Sequence, residues 1–285
     1  MHQVSRCGLK MSFNSPILYE SHAHTPLCGH AAGEPEEYAA AAEVKGLKGI
    51  IFTCHCPLPD GMSSSLRMAP EQFDLYVEMV QRARERFAGR IDVRLGLESD
   101  YLPGLEPWLE KLHARQPFHH ILGSVHYHIP EYQKLFWTGS PLDFQKTYFK
   151  HLADSAETGL YDTIAHPDLI KNVHPEEWQI ERILPDILHA LDRIAATGVS
   201  IELNTSGLNK TVAEFNPGPR ILQEILLRRI PIVLGADAHV PHRVGDGYLT
   251  ALKLLATLGF TDIHVYQNRL REKIDIGRAI ASLKS

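Results

Sequence analysis

The chain has 285 residues, 44% hydrophobic and 22% charged, and its 29 Lys and Arg against 34 Asp and Glu leave a formal net charge of -5. That balance excludes a role driven by bulk positive charge on nucleic acid or a membrane surface, while leaving room for a local cationic site for a small anion. The length suits one large α/β barrel or two ordinary domains.

Residues 1–16 show no period and read as an extension ahead of a domain spanning 17–285. From there, short runs rich in Ile, Val, Leu and Phe alternate with helix-like stretches. A strand expected near 17–22 leads into His22, His24 and, on the following loop, His30. Glu34-Pro35-Glu36-Glu37 then opens a helix, with Pro and acids in its first turn. A second strand near 49–54 ends at His55, and Pro70-Glu71-Gln72 opens the next helix. A third, near 91–97, ends at Glu98, with a helix opening at Pro107-Trp108-Leu109. Strands near 120–125 and 161–165 end at His126 and His166, separated by a helix from Pro141 to Glu157. One long helix is expected from Pro175 to Thr197, then a strand near 199–204 carrying Glu202 and Asn204. A strand near 231–236 ends in Asp237 and His239, and Ile263-His264-Val265-Tyr266 reads as an eighth strand or an edge piece. Gly46, Gly89, Gly159 and Gly198 mark helix-to-strand turns. Seven β/α repeats without a linker favour a single barrel-like domain, with a doubly wound sheet as the alternative.

In parallel α/β folds chemistry gathers at the C-terminal ends of the strands. Any one histidine there reads as a satisfied, partly buried imidazole. Six strand ends carrying His, Glu or Asp together point to a polynuclear metal site. His22 and His24, like Asp237 and His239, are two apart, so in extended chain each pair shares a face. One carboxylate, Glu98, can bridge two ions. Mixed imidazole and carboxylate donors suit Zn, Fe or Mn better than Mg or Ca. The four cysteines, Cys7, Cys28, Cys54 and Cys56, form neither a disulfide framework nor a complete zinc knuckle, and Cys54 and Cys56 read as small residues lining a strand end. With neither a signal peptide nor a membrane-spanning run, the cytoplasm is the expected location. No feature encodes an oligomeric state.

The segment from Ser21 to Ala31, Ser-His-Ala-His-Thr-Pro-Leu-Cys-Gly-His-Ala, resembles the opening motif of the polymerase and histidinol phosphatase (PHP) superfamily. Phe52 to Pro59, Gly96 to Tyr101, Ser124-Val125-His126, Ala165 to Leu169, Glu202 to Leu208 and Asp237-Ala238-His239 extend the resemblance over about residues 18–270. Within the superfamily the chain is similar to histidinol-phosphate phosphatases. The resemblance implies a distorted (β/α)7 barrel with three divalent transition-metal ions. The first would take His22, His24, Glu98 and Asp237; Glu98 would bridge to a second held by His126 and His166; the third would take His30, His55 and His239. The family usually has Asp where Ser21 stands and an acid where Cys54 stands, both positions that orient an imidazole.

The implied reaction is hydrolysis of a phosphate monoester, L-histidinol phosphate in this branch, by a hydroxide bridging two ions. Asp237 or His239 would assist the leaving group. Arg67, Lys171, Lys210 and Arg243 are candidate phosphate-binding cations; Asp100, Tyr101 and Asn204, with Asp60 and His128 behind them, are candidates for the rest of the substrate. The expected partner is a small phosphorylated molecule rather than nucleic acid or membrane. Three other readings stay open: a PHP phosphoesterase for another small ester or nucleotide, a non-catalytic metal-binding PHP protein, and a metal-dependent amidohydrolase, whose barrel also begins with H-x-H.

Overall fold

Seven short parallel strands, each hydrogen-bonded to the next in sequence, form the wall of the molecule in a computed structural model that describes residues 15–283. They are β1 (Tyr19–Ala23), β2 (Gly49–Phe52), β3 (Asp92–Asp100), β4 (His120–Ser124), β5 (Thr163–Ile164), β6 (Ser200–Asn204) and β7 (Ile232–Gly235). Apart from Asp92 at the start of β3, every residue in them is buried. This is why they read as continuous apolar runs rather than alternating ones. Residues 1–14 of the expected extension lie outside the described residues.

The α-helices among the described residues are α1 (Pro35–Val44), α2 (Phe73–Arg86), α3 (Glu106–His113), α4 (Pro130–Phe136), α5 (Pro141–Glu157), α6 (Ile180–Thr197), α7 (Pro219–Leu227), α8 (Tyr248–Leu258) and α9 (Ile276–Ser282). α6 buries Ile183, Ile187, Ala190, Leu191 and Ile194 on one stripe. The α5 start is fixed by Pro141 in its first turn and by Ser140, whose hydroxyl accepts from the Asp143 N–H. The long helix expected from Pro175 is broken: Pro175–Glu177 form one 3-10 turn, Trp178 and Gln179 are non-helical, and α6 begins at Ile180.

The barrel closes between β1 and β7 by an irregular seam. Past the strand ends, His24 N–H donates to the Ala238 carbonyl and Ala238 N–H to the His22 carbonyl, both at 3.0 Å. Lower down, the buried Glu20 carboxylate takes over the pairing. It accepts from the N–H groups of His22, Ala236 and Gly245 and from the Tyr248 hydroxyl.

The run at 263–266 is no stave of the barrel. It belongs to β8 (Asp262–Gln267), which pairs with β7 only at Val233–His264 and forms an antiparallel hairpin with β9 (Leu270–Asp275). The hairpin crosses the N-terminal ends of the strands. Tyr266 Oη meets Ser200 Oγ and the Asp162 carbonyl, each at 2.9 Å, its ring stacks on His120, and its carbonyl accepts from Arg94. The mouth of the barrel away from the strand-end histidines is thereby covered.

His151 on α5 shares a 2.8 Å hydrogen bond with Tyr132, and burial lowers its pKa from 6.5 to about 4. Between those values the unfolded chain binds a proton that the fold excludes, so this group's stabilisation is complete above pH 6.5 and declines as pH falls toward 4. His151→Gln should flatten the pH dependence of unfolding of metal-free protein across that interval by about 1.4 kcal/mol per pH unit. Denaturant titrations at several pH values check this; an unchanged slope would refute it.

Candidate metal centre

Because the strands run parallel, their C-terminal ends bring His22, His24, His30, His55, Glu98, His126, His166, Asp237 and His239 to the bottom and wall of one cleft of about 400 Å³. His22 and His24 are fully buried beneath it; the other seven line it. Two of the nine hold the backbone in the left-handed region, His166 at φ 28° and Asp237 at φ 51°. Such conformations cost free energy and persist where surrounding structure imposes them. At His166 that structure includes Glu202, which accepts the His166 N–H at 2.9 Å.

Glu98 is the centre of the arrangement. Its Oε1 faces His166 Nε2 at 3.0 Å and His126 Nε2 at 3.4 Å. Its Oε2 faces His55 Nδ1 at 2.8 Å, His22 Nε2 at 3.4 Å and His24 Nε2 at 3.7 Å. Asp237 Oδ1 joins this second set, 3.1 Å from His24 Nε2 and 3.7 Å from His22 Nε2.

Several rings are held from behind in one tautomer. His22 Nδ1 lies 2.7 Å from Glu202 and His126 Nδ1 3.0 Å from Asp100, both carboxylates, so each Nδ1 carries the donated proton. His30 Nδ1 and His239 Nδ1 donate to the carbonyls of Cys28 and Asp237 at 2.9 and 3.0 Å. Each of these four rings therefore turns the Nε2 lone pair inward. His22 and His126 aim theirs at carboxylate oxygens, and the Nε2 atoms of His30 and His239 meet each other at 2.9 Å. Lone pair against lone pair is repulsive unless a proton or a metal ion lies between.

Five of the buried atoms left without a hydrogen bond belong to this cluster: His22 Nε2, His24 Nδ1, His55 Nδ1, His166 Nδ1 and Glu98 Oε2. Electrostatics agree. Burial would raise the Glu98 carboxyl, but His55, His22 and His126 hold it well below the usual carboxylate range. Asp237 is likewise held down, against burial, by His22, His24 and His239. Burial would lower His22, but Glu202, Asp237 and Glu98 outweigh it and push the imidazole well up. Burial lowers His55 to about 3 and His239 to about 4. Ionised carboxylates among imidazoles that give up their inward protons to a bound cation are a donor set for borderline transition metals, and the residues present fit such ions. Donor atoms of His22, His24 and Asp237 lie within 4.8 Å of one another, as do those of His24, His55 and His239. The expected third set is thus looser than its sequence grouping suggests, because His55 turns toward Glu98 and His24 lies within its reach.

The other sequence candidates divide. Arg67 and Lys210 line the cleft, as does His128. Arg67 is anchored by Asp100 at 2.7 Å and the Cys56 carbonyl at 3.0 Å, and its Nε is buried without a partner. Lys171 is not a free cation: it is fully buried, and its ammonium is spent on Asp168, Glu214 and the Phe215 carbonyl. Arg243 pairs with Asp246 and does not line the cleft. Asp100 and Asn204 are buried supports rather than substrate contacts. The first orients His126 and Arg67; the second donates to Glu202 and Asp237. Tyr101 packs its ring edgewise on His151, away from the cleft, and Asp60 lies on an exposed turn. The orienting role expected at Ser21 lies elsewhere. Glu202 holds His22, while Cys54 Sγ is engaged with Thr25. Glu20 was not singled out in the sequence and Glu202 was given no role there, although each lies two residues from a polar strand-end position on the same face.

Comparison with known proteins agrees with this geometry. Residues 20–206 match the model of the PHP domain family. A probable histidinol-phosphatase of Deinococcus radiodurans is 39% identical over 255 residues, 85% of this chain and 94% of the relative. The histidinol-phosphatase of Bacillus subtilis is 27% identical over 260 residues, 80% of this chain and 96% of the relative. The crystal structure of histidinol phosphate phosphatase from Lactococcus lactis, complexed with Zn, L-histidinol and phosphate, superposes with a TM-score of 0.76 at 18% identity, covering 90% of this chain and 98% of that one. With its strand-end donors in place on a seven-stave barrel, the chain belongs to the PHP domain family.

Proposed function

We propose that this protein is a metal-dependent phosphatase that hydrolyses L-histidinol phosphate to L-histidinol and phosphate. The observation that carries the reading is Glu98, whose two oxygens face two separate sets of inward-turned imidazoles at the bottom of an open cleft. The histidinol-phosphatase activity of the two relatives supplies the substrate. His22, His24, Glu98 and Asp237 would hold one ion, Glu98, His126 and His166 a second, and His30, His55 and His239, with His24 in reach, a third. Bound divalent ions would supply Lewis acidity to the phosphoryl group and make water nucleophilic near neutral pH.

The chain's own side chains supply the rest. Arg67 and Lys210 give the cleft positive charge beside the donors, suited to the phosphate oxygens. Asp237, steadied at Oδ2 by Ser206 and Asn204, keeps Oδ1 toward the reacting centre. It and the exposed-side His239 are the groups placed to manage the leaving-group proton. Leu66, Ile129 and Leu169 give the cleft an apolar wall for the organic part of the substrate. Among the described residues no helix is long and apolar enough to cross a membrane. The free thiols of Cys28, Cys54 and Cys56 suit a reducing cytoplasm.

Purified protein should release phosphate from L-histidinol phosphate, lose that activity on chelation and regain it with Zn, Fe or Mn. Bound metal with turnover of other small phosphate esters only would refute the substrate. Glu98→Ala should lower kcat/KM by more than about 100-fold, beyond what loss of an orienting partner alone costs; wild-type turnover would show the site is misplaced. Lys210→Ala should raise KM and leave stability unchanged. Lys171→Ala should instead cost about 3–5 kcal/mol of stability, because it strands the buried Asp168 carboxylate. Steady-state kinetics and denaturant unfolding of both variants separate the two roles.

A further inference from the structure

Every metal-facing imidazole whose Nε2 points inward needs its Nδ1 proton accepted from behind. Glu202, Asp100 and two backbone carbonyls do this for His22, His126, His30 and His239. His24, like His166, has no carboxylate or carbonyl in that role. Its Nε2 faces Asp237, and its Nδ1 is buried without a hydrogen bond of ordinary geometry. What lies beside the ring is sulfur: donor atoms of His24, Cys28 and Cys54 are all within 4.8 Å of one another, and all three residues are fully buried.

We propose that the Cys28 thiol is the positioning group of His24, backed by Cys54 in a sulfur relay that replaces the usual carboxylate. The proposal rests on the metal reading above. The donor count closes along the whole chain of groups. His24 Nδ1–H donates to Cys28 Sγ, and the Cys28 S–H donates to Cys54 Sγ. The Cys54 S–H in turn donates to the Thr25 carbonyl, 3.6 Å away. Cys54 Sγ also accepts from the Thr25 N–H at 3.4 Å and the Thr25 hydroxyl at 3.2 Å. Each thiol has one proton and each proton has one acceptor. The loop that carries Cys28 is held at both ends of this contact, because its carbonyl fixes His30. One residue therefore orients two ligands, one through sulfur and one through its main chain.

The test compares wild type, Cys28→Ala and Cys28→Ser, stripped of metal and reloaded. Zinc competition against a chromophoric chelator should show Cys28→Ala binding one ion about 10–100-fold more weakly. Cys28→Ser, which keeps a donor and an acceptor, should recover most of that loss. Loading with Co(II) should give no thiolate-to-cobalt charge-transfer band, since the sulfur orients and does not ligate. Equal zinc affinity in Cys28→Ala and wild type overturns the proposal, as does a charge-transfer band that Cys28→Ala abolishes. Wild type that binds no zinc overturns the metal reading and this proposal with it, an outcome distinguishable because no variant is involved. Should Cys28→Ala fail to fold, side-chain 15N spectra of zinc-loaded wild type decide: a protonated, slowly exchanging His24 Nδ1 supports the relay, and an unprotonated Nδ1 overturns it.

Discussion

Buried lone pairs turned toward one another are the constraint on which this structure depends. A carboxylate held ionised at the end of β3, with imidazole nitrogens aimed at both its oxygens, is intolerable in a low-dielectric interior without a cation. Much of the surrounding architecture keeps those groups from turning away. Glu202 fixes both the His22 ring and the His166 backbone. Asp100 fixes both His126 and Arg67. A Cβ at Gly235 would collide with the Glu202 carboxylate and with His22, so β7 carries glycine where the two pack against it. The same few buried acids serve as structural pins and as electrostatic partners.

The barrel topology makes this convergence possible. Parallel strands deliver all their C-terminal ends to one rim, so donors far apart in sequence meet without long loops. Seven staves leave β1 and β7 to close by a few main-chain bonds and the Glu20 carboxylate rather than by a full ladder. At the opposite rim the β8–β9 hairpin covers the floor, with Tyr266 touching the starts of β4 and β6 and the residue before β5. Burial pushes Glu20 up to about 7 despite three backbone N–H donors.

The strands, the barrel and the convergence of the nine candidate donors were legible because their signal is periodic and local: apolar runs ending in ligand-type residues, with H-x-H and D-x-H pairs on single faces. The supporting groups were harder to read. Lys171 and Arg243 follow metal-type histidines by a few residues, and nearness in sequence suggested they face the phosphate. After a strand ends, however, the turn decides direction. A 3-10 turn sends Lys171 into the barrel shoulder against Asp168, and Arg243 folds back on Asp246. Asn204 and Asp100 have the right chemistry for a substrate contact, but they are consumed by neighbours that only the folded chain brings near. The break before α6 was also hidden, since Trp178 and Gln179 carry no helix-stopping signature. Glu20 was missed because a buried acid within a strand makes sense only once the β1–β7 seam is known.

The left-handed backbone at His166 and Asp237 has an evolutionary corollary. Glycine at either position would relieve conformational cost, at the loss of the hydrogen bonds that His166 makes with Glu98 and Asp237 makes with His24, Asn204 and Ser206. At the level of the backbone alone, glycine there is downhill, and selection for turnover must oppose it. A lineage released from that selection would drift toward sturdier, inert barrels, and positions 166 and 237 are where the drift should first leave its mark.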